Sequence, residues 1–233
     1  VPSADDLDET VRRADTDRWL ASRFVADPAA RADLVALYAF DLELDRARRI
    51  TSNPLTAEIR LTWWWEALGE IFVGGVVRAH PLAMAIGDVV ARRGLPRDLL
   101  EAMIDARLEV VASPVLDEAQ ALRWADLAGG SVAVLGAGVL DPEGRRESAR
   151  PAGRLIALGT LVRQGRLDPA AGRVMIRRIL PEADRAARTL SASAFPAVAA
   201  AVLGPGGRGD AGPSELRRRL RLAWAVARGR LQV

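Results

Sequence analysis

An all-α fold is predicted for this chain, and three observations carry the prediction. Apolar residues recur at helical spacing along nearly the whole sequence, alternating strand patterns are almost absent, and prolines and glycines fall where periodic runs begin and end. The chain has 233 residues, half of them hydrophobic, enough to bury a sizeable core without cross-links. No repeat or composition shift divides it, so one domain over residues 1–233 is expected.

Periodicity places helices at about 5–25, 29–50, 56–73, 80–93, 96–111, 117–138, 148–165, 173–190 and 214–230. The opening stretch VPSADDLDET is acidic and does not read as a signal peptide. Pro28, Pro54, Pro81 and Pro96 mark the next four helix starts, where the fixed φ of proline suits the first turn. Gly74-Gly75, Gly94 and Gly165 stand near helix ends. DPEGRRE, 141–147, is a turn-rich break. GPGGRGDAGP, 204–213, is expected to be a flexible loop before a semi-detached basic helix in 214–233. SVAVLGAGVLDPEG, 131–144, imitates the glycine turn of a dinucleotide-binding fold. Its third glycine position holds Asp141, and Pro142 and Gly144 make a turn where a helix ought to open. A helix with small residues for close packing is the expectation there.

Composition narrows the chemistry. There is no cysteine and a single histidine, His80, so disulfides, thiolate sites and histidine-cluster metal sites are excluded. Any metal would be held by carboxylates, which favours a hard ion such as Mg²⁺. All 33 basic residues are arginine and none is lysine, against 30 acids, for a net charge of +3. The arginines are interspersed with the acids except at the C-terminus, a pattern that argues against a nucleic-acid partner. No uninterrupted apolar run is long enough to cross a bilayer as a helix.

The stretch LYAFDLELDRARRI, 37–50, poses the main question. On a helix, Leu34, Leu37, Tyr38, Leu42 and Leu44 form one apolar arc, and Asp41 and Asp45 fall in the middle of it. A buried carboxylate needs a partner. Two partners fit: a cation in a polar cleft, or an arginine in a buried Asp–Arg network, with Arg48 and Arg49 flanking the arc.

LYAF and the acidic helix after it resemble the squalene/phytoene synthase family. EIRLTWWWEAL (58–68), HPLAMAI…ARRGLPRDLLEAMIDAR (80–107), WADLAGGSVAVLGAGVL (124–140) and AGRVMI (171–176) are similar to later stretches of that family, in order, over roughly residues 17–177. The resemblance implies an isoprenoid synthase-like helical bundle with a central cavity. It also implies a prenyl diphosphate or prenyl lipid as ligand, with Tyr38, Arg49, Trp124, Arg163 and Gln164 toward it. In active members, two D-x-x-x-D segments hold Mg²⁺, which stabilises the diphosphate leaving group as two prenyl diphosphates condense.

Several positions depart from that pattern. The family's leading aspartate of the first segment matches Asp45, whose partner four residues on is Arg49; Asp41-x-x-x-Asp45 restores the spelling one turn early. In the second segment Arg163 matches the family's arginine, Gln164 replaces the first aspartate, and only Asp168 fits the second. Asp41, Asp45 and Asp168 are therefore the candidate metal ligands, and Arg49→Asp ought to raise Mg²⁺ affinity if Asp45 lines a cleft. Met175 and Arg177 replace a family Tyr and Pro, Trp124 a Tyr, and Asp17-Arg18 a Ser-Phe. An arginine at a ligand position repels a dication. The resemblance thus points to a divergent, non-catalytic branch that includes a mitochondrial complex I assembly factor, with no cofactor. The alternative is an active, Mg²⁺-dependent head-to-head prenyltransferase.

Four further features complete the reading. Trp63, Trp64 and Trp65 point about 100° apart, so they cannot all be buried; two are expected in the core and one on a crevice wall rather than in a dedicated binding patch. Asp105 and Arg107 read as a salt-bridged pair, and His80 as a cap or loop residue before Pro81. ELRRRLRLAWAVARGRLQV, 215–233, is a basic amphipathic helix with Leu216, Leu220, Trp224 and Ala227 on one stripe. Docking of this helix onto the body is expected, with contact to an anionic membrane surface as the second reading. A cytoplasmic location, peripheral to an inner membrane, and a protein partner follow as expectations.

Overall fold

Helices dominate a computed structural model of the protein, which describes residues 4–51, 53–75, 78–204 and 215–231; no strand occurs among these residues. The first expected helix is two. α1 (Ala4–Ala14) breaks at Asp15, whose φ of −143° leaves the helical region, and α2 (Thr16–Ser22) restarts at once. Asp15 makes the break by capping α2, accepting a hydrogen bond from the Arg18 backbone N–H. α3 (Pro28–Arg49) and α4 (Pro54–Phe72) each open on a capping side chain, Asp27 and Asn53, followed by the expected proline. α5 (Pro81–Arg93) ends at Gly94, whose φ of +60° is a left-handed cap open to glycine at little cost. α6 (Arg97–Glu109) follows. α7 (Glu118–Trp124) opens with a reciprocal cap between Asp117 and Gln120, then runs through a widened π turn, Ala125–Gly130, into α8 (Ser131–Leu140). α9 (Arg150–Arg163), α10 (Pro169–Ala187) and α11 (Glu215–Arg228) complete the helices. Two short 3-10 turns, Phe195–Ala197 and Ala199–Leu203, occupy a stretch that periodicity left unassigned. Most of the expected loop at 204–213 lies outside the described residues.

α3 is the central helix and packs against α1, α2, α4, α5, α6 and α8. Its Leu34, Leu37, Tyr38, Phe40 and Leu44 are almost wholly buried. Each such side chain contributes about 1.5–3 kcal/mol of burial free energy. Beside this core lies a second one built on α9, α10, the π turn and the 3-10 turns, and Trp19 and Leu140 touch both. The two halves meet at small residues. A Cβ on Gly129 would stand 2.5 Å from the Gly153 carbonyl oxygen, and one on Gly153 2.7 Å from Ala133 Cβ, so the π turn and α9 cross with their backbones nearly touching. Gly136 and Gly138 sit in α8, as close packing required: a Cβ on Gly136 would meet Leu34 at 2.9 Å.

One tryptophan of the run is in the core, where two were expected. Trp64 is buried edge-on to Phe40 with ring centroids 5.3 Å apart, Trp63 lines a half-buried crevice with His80 and Arg78, and Trp65 is exposed. His80 is the N-cap residue of α5 but makes no side-chain cap; its ring packs on Trp63 and Trp64 instead. α11 does dock on the body, but through Leu222 and Ala225 rather than through the expected stripe. Leu216, Leu220, Trp224 and Ala227 face outward. Arg218 ties the docked face to Asp17 of α2 at 2.5 Å. No described helix is long and apolar enough to cross a membrane.

Candidate functional site

The inner faces of α2, α3, the π turn, α8 and α9 enclose a cavity of about 320 Å³. Tyr38, Asp41, Asp45, Arg49, Trp124, Arg163 and Gln164 all line it. These residues come from three separate stretches of sequence, so the fold brings together nearly every candidate read from the chain. Asp168 does not join them. It caps α10, accepting hydrogen bonds from Ala170 N–H at 3.0 Å and Ala171 N–H at 2.8 Å.

One row of alternating charges runs beneath the cavity. Arg18 donates from Nε to Asp15 Oδ2 at 2.6 Å and from Nη1 to Asp41 Oδ2 at 2.7 Å. Arg107 of α6 donates from Nη2 to Asp41 Oδ1 at 2.6 Å, from Nε to Asp45 Oδ1 at 2.8 Å and from Nη1 to the Met103 carbonyl at 2.7 Å. Both guanidiniums lie over aromatic rings, Arg18 over Tyr38 at 4.9 Å and Arg107 over Trp124 at 5.4 Å. Burial pushes the Asp41 carboxyl up, but the Arg18 and Arg107 charges outweigh it and hold the group below the usual carboxylate range. The same contest between burial and Arg18 lowers Asp15. Burial raises Tyr38, so its hydroxyl stays protonated.

Asp41 is therefore the centre of a buried Asp–Arg network. Its partners are Arg18 and Arg107, not the flanking arginines of its own helix: Arg49 points to the cavity rim, and the Arg48 side chain is outside the described residues. The expected Asp105–Arg107 pair is also corrected. Arg107 turns inward to α3, while Asp105 is exposed and is raised by local burial and by Glu101 and Glu109. Arg18, Arg107 and Asp15 were missed from sequence. The signal for Arg107 was present: it follows Leu100, Met103 and Ile104 at helical spacing, so α6 carries a positive charge on its apolar stripe as α3 carries a negative one.

At the mouth, Arg163 donates to Thr160 Oγ1 at 2.8 Å, and Gln164 Nε2 lies 3.4 Å from Asp45 Oδ2. Burial lowers Arg163 from its ordinary value, against the pull of Asp15 and Asp17, and raises Asp17 more than Arg218 can offset. The inner wall is apolar, with Ala128, Val132, Ala133, Ile156 and Ala157. Trp124 Nε1 is buried there without a hydrogen-bond acceptor among the described residues.

This donor set does not fit Mg²⁺. Both oxygens of Asp41 and one of Asp45 already accept from guanidinium, and no group of three or more candidate ligands occurs among the described residues. A dication about 4 Å from one of these guanidiniums would meet repulsion on the order of 8 kcal/mol at an effective dielectric of about 20.

Comparison with known proteins gives one relative and one family. A stretch of 89 residues, 38% of this chain, is 25% identical to the NADH dehydrogenase (ubiquinone) complex I, assembly factor 6 homolog of Dictyostelium discoideum, of which it spans a quarter. The sequence pattern of squalene/phytoene synthase matches residues 11–203, across both cores and every wall of the cavity except Arg218. An all-α bundle, a cavity between its helices and a match over most of the chain make this protein a member of the squalene/phytoene synthase family.

Proposed function

We propose that this protein is a non-catalytic member of its family that holds one prenyl lipid in the cavity and, with a protein partner, aids assembly of a membrane-bound respiratory complex. The observation that carries the proposal is Arg107, whose buried guanidinium holds Asp45, the match to the family's leading aspartate, and shares Asp41 with Arg18. The cavity volume supports it as well. About 320 Å³ lies at the small end of ligand pockets, which run roughly 300–1,000 Å³, and suits one prenyl chain better than the two that condensation requires. Arg49 and Arg163 at the mouth can bind an anionic head group without metal, and the apolar wall suits a hydrocarbon tail. The role in assembly draws its support from the likeness to the assembly factor homolog.

A second reading is an active prenyltransferase that uses Asp41 and Asp45. It is favoured by their shared place in the cavity wall. Calorimetric titration with farnesyl diphosphate, with and without Mg²⁺, separates the two. Binding that is indifferent to Mg²⁺ supports the proposal. Binding only with Mg²⁺, followed by release of diphosphate, establishes the enzyme reading instead. Without binding in either titration, the anionic head group is ruled out, and a neutral prenyl alcohol becomes the next probe.

A further inference from the structure

α11 has two apolar faces, and only one is covered. At about 100° per residue, Leu222 and Ala225 turn toward the body, while Leu216, Leu220, Ala227 and Trp224 form an arc about 80° wide on the far side. Those four are exposed, Leu216 to 66% and Leu220 to 61%. Arg217, Arg221 and Arg228 border the arc on one edge and Arg219 on the other, all at the surface. Arg228 lies over the Trp224 ring at 3.9 Å, which leaves the ring at the boundary between apolar arc and charge. The helix contains one acid, Glu215, in its first position.

This arrangement matches one class of surface. A protein groove would cover the leucines but would need acids placed to meet Arg217, Arg221 and Arg228 along the edge of the arc. An acidic bilayer meets both demands at once: acyl chains take the leucines, the headgroup boundary takes tryptophan, and phosphates take the guanidiniums. We propose that α11 lies flat on an anionic membrane through Leu216, Leu220 and Trp224. Arg218 comes from the docked side of the same helix, lines the cavity and pairs with Asp17. The cavity mouth therefore lies on the docked side of α11, with the helix between it and the proposed bilayer surface. The membrane surface is separate from the cavity chemistry, so it stands whether or not a prenyl lipid is the ligand.

Flotation with phosphatidylcholine vesicles, with and without phosphatidylglycerol, tests the proposal on the full chain with no ligand added. Binding is expected to rise about tenfold or more with the anionic lipid and to fall with salt. Leu216→Ser/Leu220→Ser should abolish it, and Arg217→Gln/Arg221→Gln should weaken it about tenfold or more. These side chains are exposed, so unchanged circular dichroism and Tm will show that the variants fold. Brominated lipid should quench tryptophan fluorescence in the wild type and in Trp65→Phe but not in Trp224→Phe. Equal binding to neutral vesicles, or binding untouched by the leucine variant, overturns the proposal. So does an absence of vesicle binding accompanied by self-association that the leucine variant removes, which would assign the arc to a second copy of the chain.

Discussion

Replacing Arg107 with leucine removes one guanidinium and four hydrogen bonds, two to Asp41, one to Asp45 and one to Met103. The apolar side chain fills much of the space, so the cost falls on the acids left behind. Breaking a buried ion pair by deleting one partner costs about 3–5 kcal/mol. Asp41 keeps Arg18, and Asp45 keeps the Gln164 amide at 3.4 Å. The lower part of that range, about 3–4 kcal/mol, is therefore expected. In a chain of this size that is a fall in Tm of roughly 6–16 °C. The loss should depend on pH. Without Arg107, one of the two guanidiniums that hold the Asp41 carboxyl down against burial is gone, so the group rises relative to the wild type and the variant binds a proton more readily in the folded state. Its deficit is full near neutral pH and shrinks as pH falls through the carboxylate range. Adding Asp45→Asn should restore part of the stability, because it removes the charge that lost its main partner. Thermal unfolding by circular dichroism at neutral and acid pH measures all three quantities. A deficit under about 1 kcal/mol, or one that does not change with pH, would refute the view that Arg107 stabilises buried charge.

Gly153→Ala forces a methyl group into the backbone crossing at Gly129 and should cost about 1–3 kcal/mol while leaving helix content unchanged; an unaltered Tm would show that the crossing can open. Arg49→Asp should leave Mg²⁺ affinity unchanged by calorimetry, contrary to the expectation from sequence, because Arg107 already holds Asp45; a measurable gain would show that the ion can displace a guanidinium. Asp15 and Asp41 are both depressed in the folded state, so their stabilisation is present above the unfolded carboxylate value near about 4 and is lost as pH falls through the lower folded values. Tm should drop through that acid window and drop less in Asp41→Asn; identical acid profiles would remove Asp41 from the account.

Helix existence was legible because apolar spacing and proline starts agree along most of the chain: α3, α4, α5 and α6 begin and end within about two residues of expectation. The break at Asp15 was not, because an aspartate before a threonine inside a periodic run looks like one more polar position. Only the fold shows that its carboxylate caps α2 and at the same time anchors Arg18. The inward turn of Asp41 and Asp45 was legible from the arc of leucines around them. Which positive charge met them was not, since Arg18 and Arg107 lie 23 and 66 residues from Asp41 and periodicity carries no information across that distance. Asp168 misled because spacing from Arg163 matched a motif, whereas the proline after it marks a helix start and makes the aspartate a cap. In α11 the more apolar-looking stripe suggests the docked face, but Leu222 and Ala225, a smaller pair, dock instead.

The network at Asp41 also limits what this protein can become. Metal binding at Asp41 and Asp45 requires Arg18 and Arg107 to leave; either one leaving alone leaves Asp41 with a single buried partner, and Asp41 leaving alone leaves Arg18 on Asp15 and Arg107 on Asp45 and the Met103 carbonyl. Each single step spends several kcal/mol from a total that seldom exceeds about 15. Changes toward an ion-binding pocket thus cost stability before any metal ligand is freed, so the charge pairing acts as a threshold that single substitutions cross only from a reserve of stability.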